Sequence, residues 1–173
     1  MNQKKIDIAV VLGSDSDLPI AEKVKKILED FNVPCAYTIR SAHRTPLDTK
    51  KKIKEFEERG CKIFIAIAGM AAHLAGIIAS YTTMPVIGVP CSNAKSNTAI
   101  NGLDALLSMV QMPEGVPVAT VAIDNGANAA LLAIQMLAIS DIDLTEKLIV
   151  YKMGLEEKTL EKANKLTEAD WPD

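Results

Sequence analysis

An imidazole beside a guanidinium is the first pairing in this chain that can do chemistry. Ser41-Ala42-His43-Arg44-Thr45-Pro46 sets a side chain suited to carrying protons next to a planar fork for a phosphate or carboxylate. Two other stretches carry ligand-binding residue types. In Gly13-Ser14-Asp15-Ser16-Asp17, Asp17 can accept from ribose hydroxyls while Ser14 and backbone N–H groups face a phosphate. His73, the second of only two histidines, closes Ala68-Gly69-Met70-Ala71-Ala72-His73. Each has an ordinary explanation when taken alone: a helix cap for Ser16 or Asp17, a solvated side chain for Arg44, a locally satisfied histidine for His73. A metal site made of His43, His73 and the first-turn aspartates is disfavoured, because no HxxxH or HExxH spacing supports it and Arg44 would repel the cation.

What joins the three stretches is position. Ile6-Asp7-Ile8-Ala9-Val10-Val11-Leu12 is a strand-like run ending at Gly13, and a helical pattern with apolar Ile20, Val24, Ile27 and Leu28 follows from about Asp17. Val33 to Ile39 reads as a second strand before Ser41. Thr45 can cap a helix that begins at Pro46, buries Ile53 and Phe56, and ends at Arg59-Gly60. Lys62 to Ala68 is the most continuous apolar run and the best central strand, with a small-residue helix from Ala71 to about Tyr81 after it. Met84 to Val89 and Val116 to Ala122 predict two more strands, separated by a helix over Gly102 to Gln111, and another helix runs from about Ala127 to Leu137. About five strands alternating with helices define an α/β protein: a three-layer αβα sandwich around a parallel, flavodoxin-like sheet. All three chemical stretches then lie at the carboxyl end of the sheet, where open α/β folds bind ligands.

The remaining sequence bounds the partners. A chain of 173 residues with net charge -3 and 49% hydrophobic residues suits one compact domain, with a doubly wound core over residues 1–140 and a helical extension over 141–173. Only 4% of residues are aromatic and no basic patch stands out, so neither nucleic acid nor a stacking cofactor is expected. The polar Met1 to Lys5 leads straight into a strand and no apolar run approaches membrane-spanning length, so no membrane partner and a cytoplasmic location are expected. The three cysteines lack metal-type spacing. Cys35 and Cys61 read as core filler, and Cys91 as either a small semi-buried side chain or a reactive thiol at a strand end. The polar stretch from Ser92 to Thr98 reads as a long surface loop. From Asp143 to about Glu168 a helix with apolar Leu144, Leu148, Tyr151, Leu155, Leu160 and Leu166 extends past the completed core, and we expect it to pack on a neighbouring subunit.

Five stretches in order, the Gly13–Asp17 and Ser41–Pro46 turns, Gly69-Met70-Ala71-Ala72-His73-Leu74-Ala75-Gly76, Pro85 to Pro90, and Val110-Gln111-Met112-Pro113, together resemble the PurE family of N5-carboxyaminoimidazole ribonucleotide (N5-CAIR) mutases from about Ile6 to Leu137. The resemblance implies a reaction without cofactor or metal: carboxylate transfer from the exocyclic nitrogen of N5-CAIR to C4, giving 4-carboxy-5-aminoimidazole ribonucleotide (CAIR). It implies His43 as general acid/base. Ser14, Asp17, Ser41 and Arg44 would hold the ribonucleotide, Ala71 to His73 would lie over the imidazole and carboxylate, and the chain would be a homo-octamer. Met70 and Ala75 stand where the family pattern has glycine and proline. The Cys91 to Asn101 connection looks longer than usual, Glu114 stands where many relatives carry Arg or Gly, and Asp124 to Ala127 looks shorter than the usual turn. The nearest alternative is the sister branch that carboxylates aminoimidazole ribonucleotide (AIR) directly with CO2, which typically has lysine at the Arg44 position and lacks the second histidine motif. A phospho-acceptor module would need aspartate and lysine at strand ends where this chain has Gly69 and Asp124, and a flavin carrier would need an aromatic in the crevice turns.

Overall fold

A computed structural model describes residues 4–92 and 100–166. The chain forms two compact units, Met1–Ile134 and Gln135–Asp173. The first holds a five-stranded parallel sheet: β1 (Ile8–Leu12), β2 (Cys35–Ile39), β3 (Ile63–Gly69), β4 (Val86–Cys91) and β5 (Ala119–Thr120), in the order β2-β1-β3-β4-β5. Helices α1 (Leu18–Asp30), α2 (Pro46–Glu58), α3 (Leu74–Tyr81) and α4 (Leu103–Val110) connect the strands, and helices cover both sides of the sheet. α5 (Gly126–Ala138) carries the boundary between the units, and α6 (Ile142–Lys165) belongs to the second.

The three central strands are apolar because both their faces are covered: every residue of β1 and β4 is buried, as is β3 up to its last glycine. Register is in step, with Ile8 opposite both Cys35 and Ile63 and Leu12 opposite Ile39 and Ile67, so β1 and β2 end level and β3 runs on to Gly69. Helix α1 buries Ile20, Val24, Ile27 and Leu28, the face its spacing predicts, and α2 buries Ile53 and Phe56. Gly126 permits a close approach of α5 to α1, since a Cβ there would sit 2.4 Å from the Ile20 carbonyl oxygen.

Two expected elements differ, and one turn is added. The fifth strand shrinks from Val116–Ala122 to Ala119–Thr120; Pro117 has no N–H to give, and this edge segment is partly exposed. Its line continues as isolated bonds, Val121 N–H to Gly88 O (3.0 Å) and Asp124 N–H to Pro90 O (2.9 Å). The third helix starts at Leu74 rather than Ala71, because Met70 takes φ +57° and the next residues turn, with His73 N–H bonding Ala71 O at 2.8 Å. A short 3₁₀ turn, Asp15–Asp17, precedes α1. Most of the Ser92 to Thr98 loop and the end of the expected terminal helix at Glu168 lie outside the described residues.

Candidate active site

With strand order β2-β1-β3, the direction of winding reverses at β1, and the turns after β2 and β3 reach toward each other across its end. There the structure opens a cleft of about 430 Å³, within the roughly 300–1,000 Å³ usual for small-molecule sites. It is lined from three turns: Ser14 and Asp17 after β1, Ser41, His43 and Arg44 after β2, Ala71 and His73 after β3. The structure therefore brings every sequence-predicted site residue to one cleft.

The two histidines touch. His43 Nε2 lies 2.8 Å from His73 Nδ1 with the rings edge-on at 84°. One of these nitrogens donates and the other accepts, so a proton is held between two rings carried by different turns. The contact leaves Nδ1 of His43 and Nε2 of His73 outside it. Both rings are exposed to the cleft, and Arg44 is exposed beside them.

The turn carrying His43 and Arg44 is closed on itself. Thr45 Oγ1 accepts from Ser41 N–H (3.0 Å) and donates to Ser41 O (3.1 Å), while Thr45 N–H also bonds Ser41 O (3.0 Å). Thr49, fully buried, donates its hydroxyl to Thr45 O at 2.8 Å. Ser41 Oγ accepts from the Arg44 N–H at 3.1 Å and from its Nε at 3.4 Å, aligning the guanidinium with its own loop. Thr45 occupies the N-cap position of α2 without capping it by its side chain, because its hydroxyl turns back to Ser41. Asp48 is likewise drawn away, into an ion pair with Arg40 (2.6 Å).

The first turn is held by its own acids. Asp17 is 2% exposed, and its Oδ2 accepts from Ser14 N–H at 2.9 Å while Oδ1 accepts from Ser16 Oγ at 3.3 Å. Burial raises its carboxyl above the usual value, against the lowering effect of these hydrogen bonds and of the Cys91 thiol. Ser14 Oγ donates to Asp15 Oδ1 (2.9 Å), which pulls the Asp15 carboxyl below its ordinary value, with the Arg44 charge adding to it. Ser14 N–H is thus committed to Asp17 rather than open to an anion. Cys91 is 2% exposed and burial pushes its thiol far up, so it has the character of a packed side chain rather than a nucleophile. Among the described residues no group of three or more His, Cys, Asp or Glu is arranged to hold a metal ion.

Sequence reading missed Thr45 and Thr49 as the clamp on the histidine turn, and Asp15 as the partner of Ser14. The spacing Ser41…Thr45…Thr49, four and four, was the signal for the first pair. Met70 also lines the cleft, 46% exposed, on a backbone whose left-handed φ costs a methionine on the order of 1–2 kcal/mol.

A flavodoxin-like sheet with an imidazole pair, a guanidinium and hydroxyls at its switch point offers what an acid–base enzyme acting on a small anionic ligand needs. Residues 7–158 match the family model described as AIR carboxylase, and the chain belongs to that family. It is 52% identical over 171 residues, 99% of this chain and 94% of the relative, to the N5-carboxyaminoimidazole ribonucleotide mutase of Pyrococcus horikoshii. It is 50% identical to the phosphoribosylaminoimidazole carboxylase of Candida glabrata over 92% of this chain but 27% of that protein. The crystal structure of Treponema denticola PurE superposes with a TM-score of 0.81 at 29% identity, covering 95% of this chain and 100% of the other. No helix among the described residues is long and apolar enough to cross a membrane.

Proposed function

We propose that this chain is an N5-CAIR mutase, converting N5-CAIR to CAIR in purine biosynthesis. The observation that carries the reading is the meeting of His43 and His73 in one cleft with Arg44, Ser41, Ser14 and Asp17, in a chain about half identical to several proteins named for that activity.

The residues take the following parts. Arg44 clamps the phosphate with a charge-assisted pair of N–H groups, and Ser14 and Ser41 add hydroxyls. Asp17 uses the lone pairs its turn leaves free to accept from the ribose. Ala71, without bulk, lets the flat imidazole lie against the backbone, and His73 borders the carboxylate. His43 moves the proton. The carbon–nitrogen bond breaks with its electron pair passing to the exocyclic nitrogen, which takes a proton from His43 as CO2 leaves. C4 of the electron-rich aminoimidazole then attacks CO2, and the C4 proton returns to His43, restoring the acid. Aminoimidazole is itself the nucleophile, so this route asks for proton transfer and confinement rather than an electron sink. His73, bonded to His43 Nε2, keeps the ring oriented between the two transfers.

The working form in this proposal is a homo-oligomer, an octamer, acting in the cytoplasm on a free ribonucleotide. The deciding experiment compares CAIR formation from N5-CAIR with that from AIR plus bicarbonate at equal low enzyme. Rapid conversion of N5-CAIR alone is the expected result; efficient use of AIR and bicarbonate replaces the mutase with the carboxylase.

A further inference from the structure

Four described residues other than glycine have left-handed backbones: Asn32, Met70, Asn101 and Asp124. Three are of the short polar types that tolerate this conformation; Met70 is not. It lines the cleft between Gly69 and Ala71 and leaves a large apolar side chain 46% exposed. The other apolar side chains lining the cleft cannot move over a ligand: Ala42, Ala68 and Ala71 are too short, and Leu74 is 2% exposed in the core. Methionine, unbranched and with three rotatable bonds, can. Strained backbone and wetted thioether are both costs of the unliganded protein, and glycine at this position would carry neither. Both are offset if the side chain folds down onto something apolar once a ligand is bound.

We propose that Met70 is the cover of the reacting centre, closing over the bound imidazole and confining CO2 until C4 captures it. This rests on the mutase reading. When the carbon–nitrogen bond breaks, its electron pair stays with nitrogen, His43 supplies the proton, and the carboxylate becomes neutral CO2. At that moment the fragment loses the charge by which Arg44 or a histidine could hold it. Only shape retains it, and Met70 is the one long, adaptable apolar side chain at the opening among the described residues. Without a cover, escape of CO2 leaves AIR as a product in place of CAIR.

The test is the AIR-to-CAIR ratio in a single turnover of N5-CAIR, corrected for its decomposition without enzyme, in the full chain and in its Met70→Gly and Met70→Leu variants. Glycine removes the cover while suiting the backbone, and leucine keeps an apolar arm. We expect Met70→Gly to raise the ratio about tenfold, as an escape barrier lowered by a modest contact requires, and Met70→Leu to stay within about twofold of the unmodified chain. Turnover by the unmodified chain with an unchanged ratio in Met70→Gly overturns the cover alone. A changed ratio accompanied by a lower oligomer mass in light scattering makes Met70 a subunit contact and also overturns it. An unmodified chain that makes no CAIR from N5-CAIR overturns the mutase reading, and the cover with it.

Discussion

His43 is the one side chain whose removal separates chemistry from architecture. It is exposed to the cleft, its ring is hydrogen-bonded to another exposed ring, and the turn beneath it is held by Ser41, Thr45 and Thr49 without its help. His43→Asn should therefore keep the native circular dichroism spectrum and lower turnover by about 10²–10⁴-fold, the span of a lost general acid/base. Turnover near that of the unmodified chain would remove His43 from the proton path. Asp17 gives a residue-scale prediction of a different kind. Its carboxyl binds a proton more tightly when folded than the ordinary value of 3.8, so its contribution favours folding most below that value and is lost as pH rises through the raised one. The melting temperature of the unmodified chain relative to Asp17→Asn should consequently fall as pH rises across the acidic range. A difference independent of pH would show that the hydrogen bonds from Ser14 and Ser16 cancel the effect of burial, and one that grows with pH would show that they outweigh it.

At the scale of elements, the turn after β2 matters more than either residue it carries. Thr45 grips both the N–H and the carbonyl of Ser41, and Ser41 grips Arg44, so one hydroxyl sets the exit direction of His43 and Arg44 together. Thr45→Val keeps the shape and removes the grip. It should cost about 1 kcal/mol of stability, and lower kcat and raise KM together, since the proton carrier and the phosphate fork both loosen. Thr45→Ser should restore both constants. Loss of stability with unchanged kinetic constants would reduce the clamp to a structural tie. The strands and helices that place this turn were legible in the sequence: β1, β3 and β4 are continuous apolar runs because both faces are covered, and α1 and α2 show their buried faces at helical spacing. The clamp was not, because Thr45 before Pro46 carries the standard signature of a helix cap and only the fold shows its hydroxyl pointing back. The short β5 failed for a related reason: alternating apolar residues announce a strand, but an edge position and Pro117 limit the bonds it can make. The histidine contact lay between these cases. A switch point at β1 implied that the two turns converge, while the 2.8 Å separation depends on Met70 turning the chain before α3.

The whole molecule carries apolar surface that the reading of the terminal segment did not locate. Of the apolar residues its sequence pattern announced, Leu144, Leu148, Tyr151 and Leu155 share one face of α6, whereas Leu160 falls on the other. Ile142, Ile149, Met153 and Leu160 recur at intervals of seven, four and seven, which places them on the other side, and each is more than half exposed. A surface helix needs one apolar face; a second one asks for a partner. Helix α4 adds Leu103, Leu107 and Val110, exposed at spacings of four and three. We expect that partner to be another copy of this chain, as the proposed oligomer requires. Burying what is exposed of the four α6 side chains contributes roughly 4–8 kcal/mol per copy. Two copies joined through this face therefore contribute roughly 8–16 kcal/mol, comparable with the roughly 4–15 kcal/mol that association costs. Light scattering of the unmodified chain should accordingly give a multiple of 18.6 kDa that does not fall on moderate dilution. Ile149→Glu combined with Met153→Glu puts two like charges in the centre of the stripe, and burying them uncompensated costs more than the face contributes. The variant should therefore drop to a smaller multiple while keeping its helical circular dichroism. A monomer mass for the unmodified chain would end the oligomer proposal, and an unchanged multiple in the double variant would move the contact from α6 to the α4 face.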